Sequence, residues 1–302
     1  MMIELEKLST EENNLNSKDI ELQDSLEIVR RINEEDKKVA FCIEKELGSI
    51  SRLIDAILSK YKKETRIIYI GAGTSGRLGI LDASECPPTY GVSFEKVQGI
   101  IAGGNEAIFK AKENAEDNPE LGKQDLLNIN LTENDVVIGL AASGRTPYVL
   151  GAIEYANSIG AITGSITCSK SSDLSKVSQY PIEVPVGAEI VTGSTRMKAG
   201  TAQKMILNMI STTIMIKLGK VFSGYMVDVK TSNQKLIERA KRIIMKTANC
   251  DYEKASVALK KARNDVKTAI VMILLNIDKD MAAEKLNQCD ENVAKIIHEN
   301  LK

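Results

Sequence analysis

The sequence of 302 residues is poor in the side chains on which several common kinds of site depend. Its single histidine, His298, excludes a histidine-rich metal centre and makes a Ser-His-Asp triad improbable. Tryptophan is absent and aromatic residues make up only 4%, so surfaces for stacking nucleic-acid bases are scarce. Carboxylates, hydroxyls, lysines, arginines and backbone dipoles are therefore left to carry the chemistry.

The cysteines are few and widely spaced, and they form no CxxC pair, which argues against a disulfide framework and a zinc knuckle. They are Cys42, Cys86, Cys168, Cys250 and Cys289. Cys86 is interpreted as a packing residue, because the sequence offers it no histidine for deprotonation.

Charge and hydropathy argue against two classes of partner. Lysine and arginine total 40 against 41 acidic residues, so the net charge of -1 gives no field that attracts polyanions. The longest apolar run, residues 269–275, is far shorter than the roughly 20 residues that cross a bilayer, and the first residues lack a signal-peptide pattern. We expect a cytoplasmic protein that binds neither nucleic acid nor membranes.

The N-terminal region is predicted to consist of a polar arm and one long helix. Residues 1–35 are rich in Glu, Asn, Ser and Asp and taken alone would be mobile. Over residues 35–63, apolar side chains recur at spacings of 4, 3, 4 and 3, which predicts one helix with a single buried stripe. These side chains are Ile43, Leu47, Ile50, Ile54 and Ile57.

Short β-branched runs alternate with helical segments in the middle of the chain, which predicts an α/β fold with a doubly wound, mostly parallel, flavodoxin-like sheet of five strands flanked by helices. The strands are expected at residues 66–70, 97–101, 135–140, 161–167 and 182–186. A buried helix is predicted at 199–218, and a small helical module follows residue 231, with helices beginning at Tyr252 and at Val266. The predicted domains are an N-terminal arm and helix (1–62), the α/β domain (63–230) and the helical module (231–302).

Loops at the carboxyl ends of the strands are where such a fold binds ligands. After the first strand, glycines at 71, 73 and 76 have the spacing of a phosphate-binding turn, and Thr74 and Ser75 add hydroxyl groups. The alternative is a tight turn without a ligand.

Two further loops are candidates for binding a phosphate. After the third strand, Thr146 is predicted to cap a helix that starts at Pro147, so that Ser143 and Gly144 converge with free amide groups on one point. After the last strand, residues 189–201 combine glycines, hydroxyls and cations before the buried helix. A simple helix cap would explain Thr146 and Pro147 but not the preceding Ser-Gly pair.

Residues 71–91, 141–148 and 192–204 resemble the signature segments of the N-acetylmuramic acid 6-phosphate etherase family of the sugar isomerase (SIS) superfamily. The resemblance implies a homodimer that uses no cofactor or metal and cleaves the D-lactyl ether of a sugar phosphate. It also implies two catalytic residues, Glu85 and Glu116. The substrate- and phosphate-binding residues that it implies are Gly73, Thr74, Ser75, Ser143, Gly144, Thr146, Glu189, Ser194, Thr195 and Lys198.

The roles of the two glutamates stay open at this point. Glu85 is expected to protonate the leaving lactate and Glu116, near the end of a predicted helix, to act as the base, although the two roles could be exchanged. Arg77 and Arg145 could hold phosphate or form salt bridges beneath their loops. An aldose–ketose isomerase and a non-catalytic sugar-phosphate sensor are the alternative functions on the same fold.

Overall fold

The centre of the protein is a parallel sheet of five strands in the order β2-β1-β3-β4-β5, which confirms the predicted fold class. A computed structural model describes residues 12–110, 112, 114–229, 231 and 233–300. The strands are β1 (Ile67–Gly71), β2 (Val97–Ile101), β3 (Val136–Leu140), β4 (Ile162–Thr167) and β5 (Tyr180–Glu183). Ile67 of β1 pairs with Val97 on one side and Val136 on the other, so the strand order reverses at β1. Crevices beside such a reversal are where doubly wound sheets bind ligands.

The last strand is shorter and earlier than the predicted residues 182–186. It is an edge strand whose pairing with β4 ends where Thr167 meets Glu183. Only one further bond follows, from the amide of Val184 to the carbonyl of Thr167, before the chain reaches Pro185. Because an edge strand has one partner, its length is limited by that partner rather than by its own apolar run.

The helices are distributed before, between and after the strands. Those before and between the strands are α1 (Ser25–Asp36), α2 (Lys38–Glu44), α3 (Leu47–Lys60), α4 (Gly73–Tyr90), α5 (Pro119–Asn128), α6 (Pro147–Ser158) and α7 (Asp173–Val177). Those after them are α8 (Lys198–Lys217), α9 (Gln234–Thr247), α10 (Tyr252–Lys261), α11 (Val266–Leu275), α12 (Lys279–Gln288) and α13 (Val293–Asn300). A two-stranded hairpin, β6 (Val221–Phe222) and β7 (Tyr225–Met226), separates α8 from α9.

The prediction of a mobile arm followed by one long helix is wrong for the described residues. Asp24 caps α1 by accepting a hydrogen bond from the amide of Glu27, and three helices replace the predicted one. The expected stripe is interrupted, because Leu47 is 49% exposed while Ile43 and Ile50 are buried. Residues 1–11 of the predicted arm lie outside the described residues.

Helices cover both faces of the sheet. On one face, Val149 and Ile153 of α6 pack with Ile68, Ile70 and Val137 of the strands. On the other face, a Cβ atom at Gly79 of α4 would lie 2.9 Å from Cβ of Tyr69, so this position needs a glycine for helix and strand to approach. Burial on both faces explains the apolar runs from which the strands were predicted.

The chain divides into two compact units, residues 1–85 with 94–210 and residues 86–93 with 211–302. In the second unit, α9 to α13 enclose their own apolar core, which includes Ile244, Leu259, Ile270 and Ile296. The predicted helix start at Tyr252 is confirmed, and Asp251 caps it, since its side chain accepts a hydrogen bond from the amide of Lys254. The domain boundaries at 62/63 and 230/231 stay a prediction. Across the described ranges, no helix is both long and apolar enough to cross a membrane.

Candidate functional site

The loop after β1 forms a cavity at the N-terminus of α4. Gly71 and Gly76 are required by packing, since a Cβ at Gly71 would lie 2.8 Å from the amide nitrogen of Gly76, and one at Gly76 would lie 2.6 Å from Ile101. Gly73 differs from both: it has a φ of 51°, is exposed, and has open space where a Cβ would stand. The glycine spacing therefore combines a packing requirement at two positions with an accessible backbone at Gly73.

Glu116 lines this cavity, whose volume is about 190 Å³, together with Gly73, Arg77 and Lys112. The carbonyl of Glu116 accepts a hydrogen bond of 3.0 Å from the amide of Tyr148, which ties the segment to the start of α6. Its side chain is exposed and forms no hydrogen bond or ion pair with other described residues. A free carboxylate is thus held at a helix N-terminus beside a lysine, an arrangement suited to moving a proton to or from a bound anion.

The local structure around Glu116 differs from the prediction that a helix ends there. The segment is a turn that precedes α5, because Asn118 accepts a hydrogen bond from the amide of Glu120 and Pro119 occupies the first helical position. These are signals of a helix start rather than a helix end.

Arg77 stabilises the wall of the cavity. Its Nε donates a 2.8 Å hydrogen bond to the carbonyl of Ile108 and its Nη2 a 2.7 Å bond to that of Ala107. The guanidinium group therefore holds the turn after β2 rather than forming a salt bridge beneath the loop.

Ser75 and Thr74 lie on the first turn of α4 beside α8. The hydroxyl of the buried Ser75 donates a 2.8 Å hydrogen bond to Oε1 of Gln203, whose Nε2 is 3.5 Å from the carbonyl of Ile166. Thr74 is half-buried, and its Cγ2 would lie 3.5 Å from a Cβ at Gly200. Ser75 thus joins two helices, and a role in binding substrate stays a prediction for both residues.

The loop after β3 has the predicted form in part. Thr146 is the N-cap residue of α6 and Pro147 the first helical residue, but the Thr146 side chain forms no capping bond. Gly144 has a φ of 68°, and a Cβ there would collide with the side chain of Ser172, so no other residue fits. Ser143 is half-buried and its hydroxyl forms no hydrogen bond with the described residues.

A second cavity, of about 330 Å³, opens at this loop and is lined by Ser143, Arg145, Ser169, Lys170 and other residues of the loops after β3 and β4. Arg145 is exposed and forms no salt bridge within the described part of the chain. The lining also includes the carboxylates of Glu12 and Asp173, the latter paired with Lys176. The hydroxyl of Ser143 with the cations Arg145 and Lys170 suits a phosphate group.

The loop before α8 is built around two buried charges. Both oxygens of the Glu189 carboxylate accept hydrogen bonds from backbone amides, those of Lys198 at 3.0 Å and Ala199 at 2.9 Å, and so cap α8. Lys198 Nζ lies 2.6 Å from Oε2 of Glu35, and both side chains are 3% exposed. Ser194 and Thr195 are half-buried in the same loop. Glu189 and Lys198 thus have structural partners, and their binding of substrate stays a prediction.

The N-terminal segment is fastened to this loop, a contact that the sequence analysis missed. Nδ2 of Asn14 donates to the carbonyl of Ala188 at 2.8 Å, and the hydroxyl of Ser17 donates to that of Ile190 at 2.6 Å. Glu35 was also missed, because an acidic residue in a polar helix is expected to be exposed.

The buried Glu35–Lys198 pair makes the stability of the protein depend on pH. Burial opposes the charged carboxylate, but hydrogen bonds from Lys198, Lys38 and nearby asparagines lower the pKa of Glu35 from 4.5 to about 2. Since the folded pKa is the lower one, the stabilisation is complete above pH 4.5 and is lost as pH falls toward 2. We expect Glu35→Gln to lose about 3 kcal/mol of unfolding free energy at neutral pH, because it leaves Lys198 buried without its charged partner.

Denaturant unfolding between pH 7 and pH 2 measures this effect. The difference between wild type and Glu35→Gln shrinks over the window from pH 4.5 to 2. Glu34→Gln is the matched control, because its carboxylate forms only an exposed ion pair with Lys37. A constant difference at every pH would show that the charge of Glu35 does not supply the stabilisation.

Glu85 lies on α4 away from the cavity that Glu116 lines. It is exposed, forms no hydrogen bond or ion pair with the described residues, and is not among the residues that line that cavity. It follows Arg77 by eight residues, which places it about 12 Å further along the helix axis. Glu85 therefore lies outside the lining of the cavity that Glu116 borders in the same chain.

Comparisons with known proteins agree with this architecture. Residues 49–157 match the model of the glucokinase regulatory protein N-terminal SIS domain, and residues 114–213 match the SIS domain model. A Bacteroides fragilis NCTC 9343 structure named as a phosphosugar isomerase involved in capsule formation has a TM-score of 0.50 and 18% identity, over 68% of this chain and 98% of its own. That likeness concerns the fold.

Two full-length relatives are much closer in sequence. The N-acetylmuramic acid 6-phosphate etherase of Clostridium botulinum (strain Eklund 17B / Type B) is 56% identical over 97% of both chains. The enzyme of the same name from Clostridioides difficile (strain 630) is 54% identical over 97% of this chain and 96% of its own.

Proposed function

The chain belongs to the N-acetylmuramic acid 6-phosphate etherase family and is an enzyme of that activity in cell-wall amino sugar catabolism, and we propose that it acts by elimination and readdition. In the open-chain sugar, the aldehyde at carbon 1 acidifies the proton on carbon 2. A base removes that proton, the lactyl oxygen leaves carbon 3 as an acid protonates it, and water adds to the unsaturated aldehyde. The products are N-acetylglucosamine 6-phosphate and D-lactate, and two carboxyl groups supply both proton transfers.

The observation that carries the proposal is the unpaired carboxylate of Glu116 beside Lys112 and Gly73 at the carboxyl end of β1. Glu116 removes the proton from carbon 2, and Glu85 protonates the departing lactate. Lys112, whose ammonium pairs with Glu106 at 2.9 Å, also lines the cavity, and its charge stabilises the negative charge that develops on the aldehyde oxygen.

The reaction itself tests this mechanism. Pure protein with N-acetylmuramic acid 6-phosphate in deuterated, oxygen-18 water is expected to release D-lactate that keeps its ether oxygen. The sugar product should carry deuterium at carbon 2 and oxygen-18 at carbon 3. An isomerase would form a ketose without lactate, a sensor would bind without turnover, and oxygen-18 in the lactate would indicate attack on the lactyl carbon.

The phosphate of the substrate is bound by the loop after β3. The amides at the start of α6 carry positive potential, the hydroxyl of Ser143 is available, and Arg145 and Lys170 line the adjoining cavity. Gly144 gives the loop its turn through a positive φ, with Ser172 packed against it.

Removing the Ser143 hydroxyl tests this assignment. A hydrogen bond to a charged group contributes roughly 1.5 to 3 kcal/mol, so Ser143→Ala should weaken the binding of N-acetylglucosamine 6-phosphate by about ten- to 150-fold. Calorimetric titration measures it. Ser158→Ala, at the opposite end of α6, removes a hydroxyl that bonds only to the carbonyl of Tyr155 and should bind as wild type does. Equal affinity of all three proteins would move the phosphate to another loop.

The position of Glu85 outside the cavity of Glu116 supports a homodimer with shared active sites. Carbon 2 and the oxygen on carbon 3 are adjacent, so acid and base must each come within about 3 Å of neighbouring atoms. Glu85 is not among the residues that line the Glu116 cavity of its own chain. A second copy solves the geometry by bringing its Glu85 to the first copy's Glu116 cavity.

Exposed apolar side chains lie near both carboxylates. Leu81, one turn before Glu85 on the same face of α4, is 47% exposed, and Phe109, on the turn held by Arg77, is 85% exposed. Large apolar side chains grouped around a candidate site are typical of an interface.

Leu81→Glu is therefore expected to convert dimers to monomers and to abolish lactate release, because it places a charge in an apolar contact. Light scattering coupled to size exclusion measures the mass. Val257→Glu, on α10, changes a side chain of similar exposure, 48%, and should leave the dimer intact. A dimeric and active Leu81→Glu variant would place the interface elsewhere.

A further inference from the structure

One face of α9 carries a row of four exposed cations. Lys235, Arg239, Arg242 and Lys246 follow one another at spacings of 4, 3 and 4, so they share one side of the helix. None of the four forms a hydrogen bond or an ion pair with the residues that the structure describes. The only carboxylate on α9, that of Glu238, is hydrogen-bonded to Lys241 and Tyr252, and it attracts Arg242 without a direct ion pair.

The row borders a cavity of about 500 Å³ in the second unit. Arg239, Arg242 and Lys246 line it from α9, Tyr225 from the hairpin and Thr89 from the end of α4. No carboxylate is among its lining residues. The Thr89 hydroxyl forms no hydrogen bond with described residues, and Tyr225 is 40% exposed.

This composition distinguishes the cavity from another one of similar size in the same unit. That cavity, of about 400 Å³, is lined by two acids, Asp251 and Glu253, and two lysines. Three cations within two turns of α9 repel each other, and a bound anion would relieve the repulsion. The two guanidinium groups offer paired donors that match phosphate oxygens.

We propose that the α9 cavity, lined by Arg239, Arg242, Lys246, Tyr225 and Thr89, is a binding site for a small molecule that carries a diphosphate group. A diphosphate supplies two to three negative charges, which complements the three cations, and the volume is in the range of small-molecule pockets. A nucleic acid fits less well, because the net charge of -1 gives no extended positive field. No residue assigned to the etherase reaction takes part.

Titration of the full-length protein with inorganic pyrophosphate, by calorimetry at low salt, tests the site. The double variant Arg242→Gln/Lys246→Gln is expected to bind pyrophosphate at least about tenfold more weakly than wild type. The matched control, Arg52→Gln/Lys260→Gln, removes the same charge from exposed positions on α3 and α10 and should bind as wild type does. Absence of binding to wild type, or equal affinity of the two double variants, would overturn the proposal.

A second set of titrations identifies which kind of molecule carries the diphosphate that binds. Affinity for ADP at least tenfold above that for pyrophosphate, lost in Tyr225→Leu, would support a nucleoside diphosphate whose base stacks on Tyr225. Equal affinity for both would support recognition of the diphosphate alone. Single-stranded RNA that binds tighter than either, and competes with pyrophosphate, would overturn the small-molecule assignment.

Lactate release separates this proposal from the etherase mechanism. The double variant Arg242→Gln/Lys246→Gln should release lactate at the wild-type rate without pyrophosphate. A loss of activity confined to that variant would make the cavity part of the substrate site and overturn its assignment as a separate one. Inactive wild-type protein that still binds pyrophosphate would instead contradict the etherase function and leave this proposal supported.

Discussion

Glu85→Gln is expected to lower the rate of lactate release by about a hundredfold or more, with an unchanged melting temperature. The amide keeps the shape of the carboxyl group but cannot supply an acidic proton to the departing oxygen. Stability should be unaffected, because Glu85 is exposed and has no hydrogen-bond or ion-pair partner among the described residues. Initial rates of D-lactate release and a thermal melt measure the two quantities.

Exchange of the carbon 2 hydrogen with solvent can be measured separately from lactate release, and it adds a second readout. If Glu85 only protonates the leaving group, Glu85→Gln still exchanges the carbon 2 hydrogen of the substrate with deuterated solvent. Loss of that exchange together with lactate release would assign the base role to Glu85 and reverse the roles. Glu154→Gln, an exposed glutamate on α6, serves as control and should be fully active. A fully active Glu85→Gln would remove Glu85 from the mechanism.

The fold was predictable from the sequence because its strands are buried on both faces. The burial leaves continuous apolar runs such as Ile67–Gly71 and Val136–Leu140, and the loop signals after them are equally local. Edge strands and helix junctions were less predictable. The end of β5 is set by its partner β4, and the separation of α1, α2 and α3 depends on contacts with distant segments, such as that of Glu35 with Lys198.

The candidate site was predictable as a set of loops but not as a set of contacts. Gly73 and Ser143 line cavities as loop signals suggested, since backbone conformation there follows from nearby residues. Lys112 had no recognisable signal, because it belongs to no helix or strand. The hydroxyl of Ser75 and the ammonium of Lys198 are engaged by Gln203 and Glu35, partners far away in the sequence.

A mixture of two inactive variants is expected to regain about a quarter of the wild-type activity if the active sites are shared between two copies. Glu85→Gln and Glu116→Gln alone should each be inactive, because every site in either homodimer lacks one carboxylate. In the heterodimer, one site contains both altered residues and the other contains both native glutamates. Random pairing makes half of the dimers mixed, and half of the sites in those dimers are intact.

Subunit exchange, by co-expression or by refolding the mixed chains, followed by the lactate assay provides the measurement. If Glu85 and Glu116 of one chain served the same site, every site in the mixture would carry a substitution and activity would stay as low as in the separate variants. The double variant Glu85→Gln/Glu116→Gln mixed with wild type is the control, because shared sites then give heterodimers whose two sites each lack one carboxylate. That mixture should therefore also show about a quarter of full activity, all of it from wild-type homodimers. Sites within one chain would give about half, since each wild-type chain would keep its own intact site in any pairing.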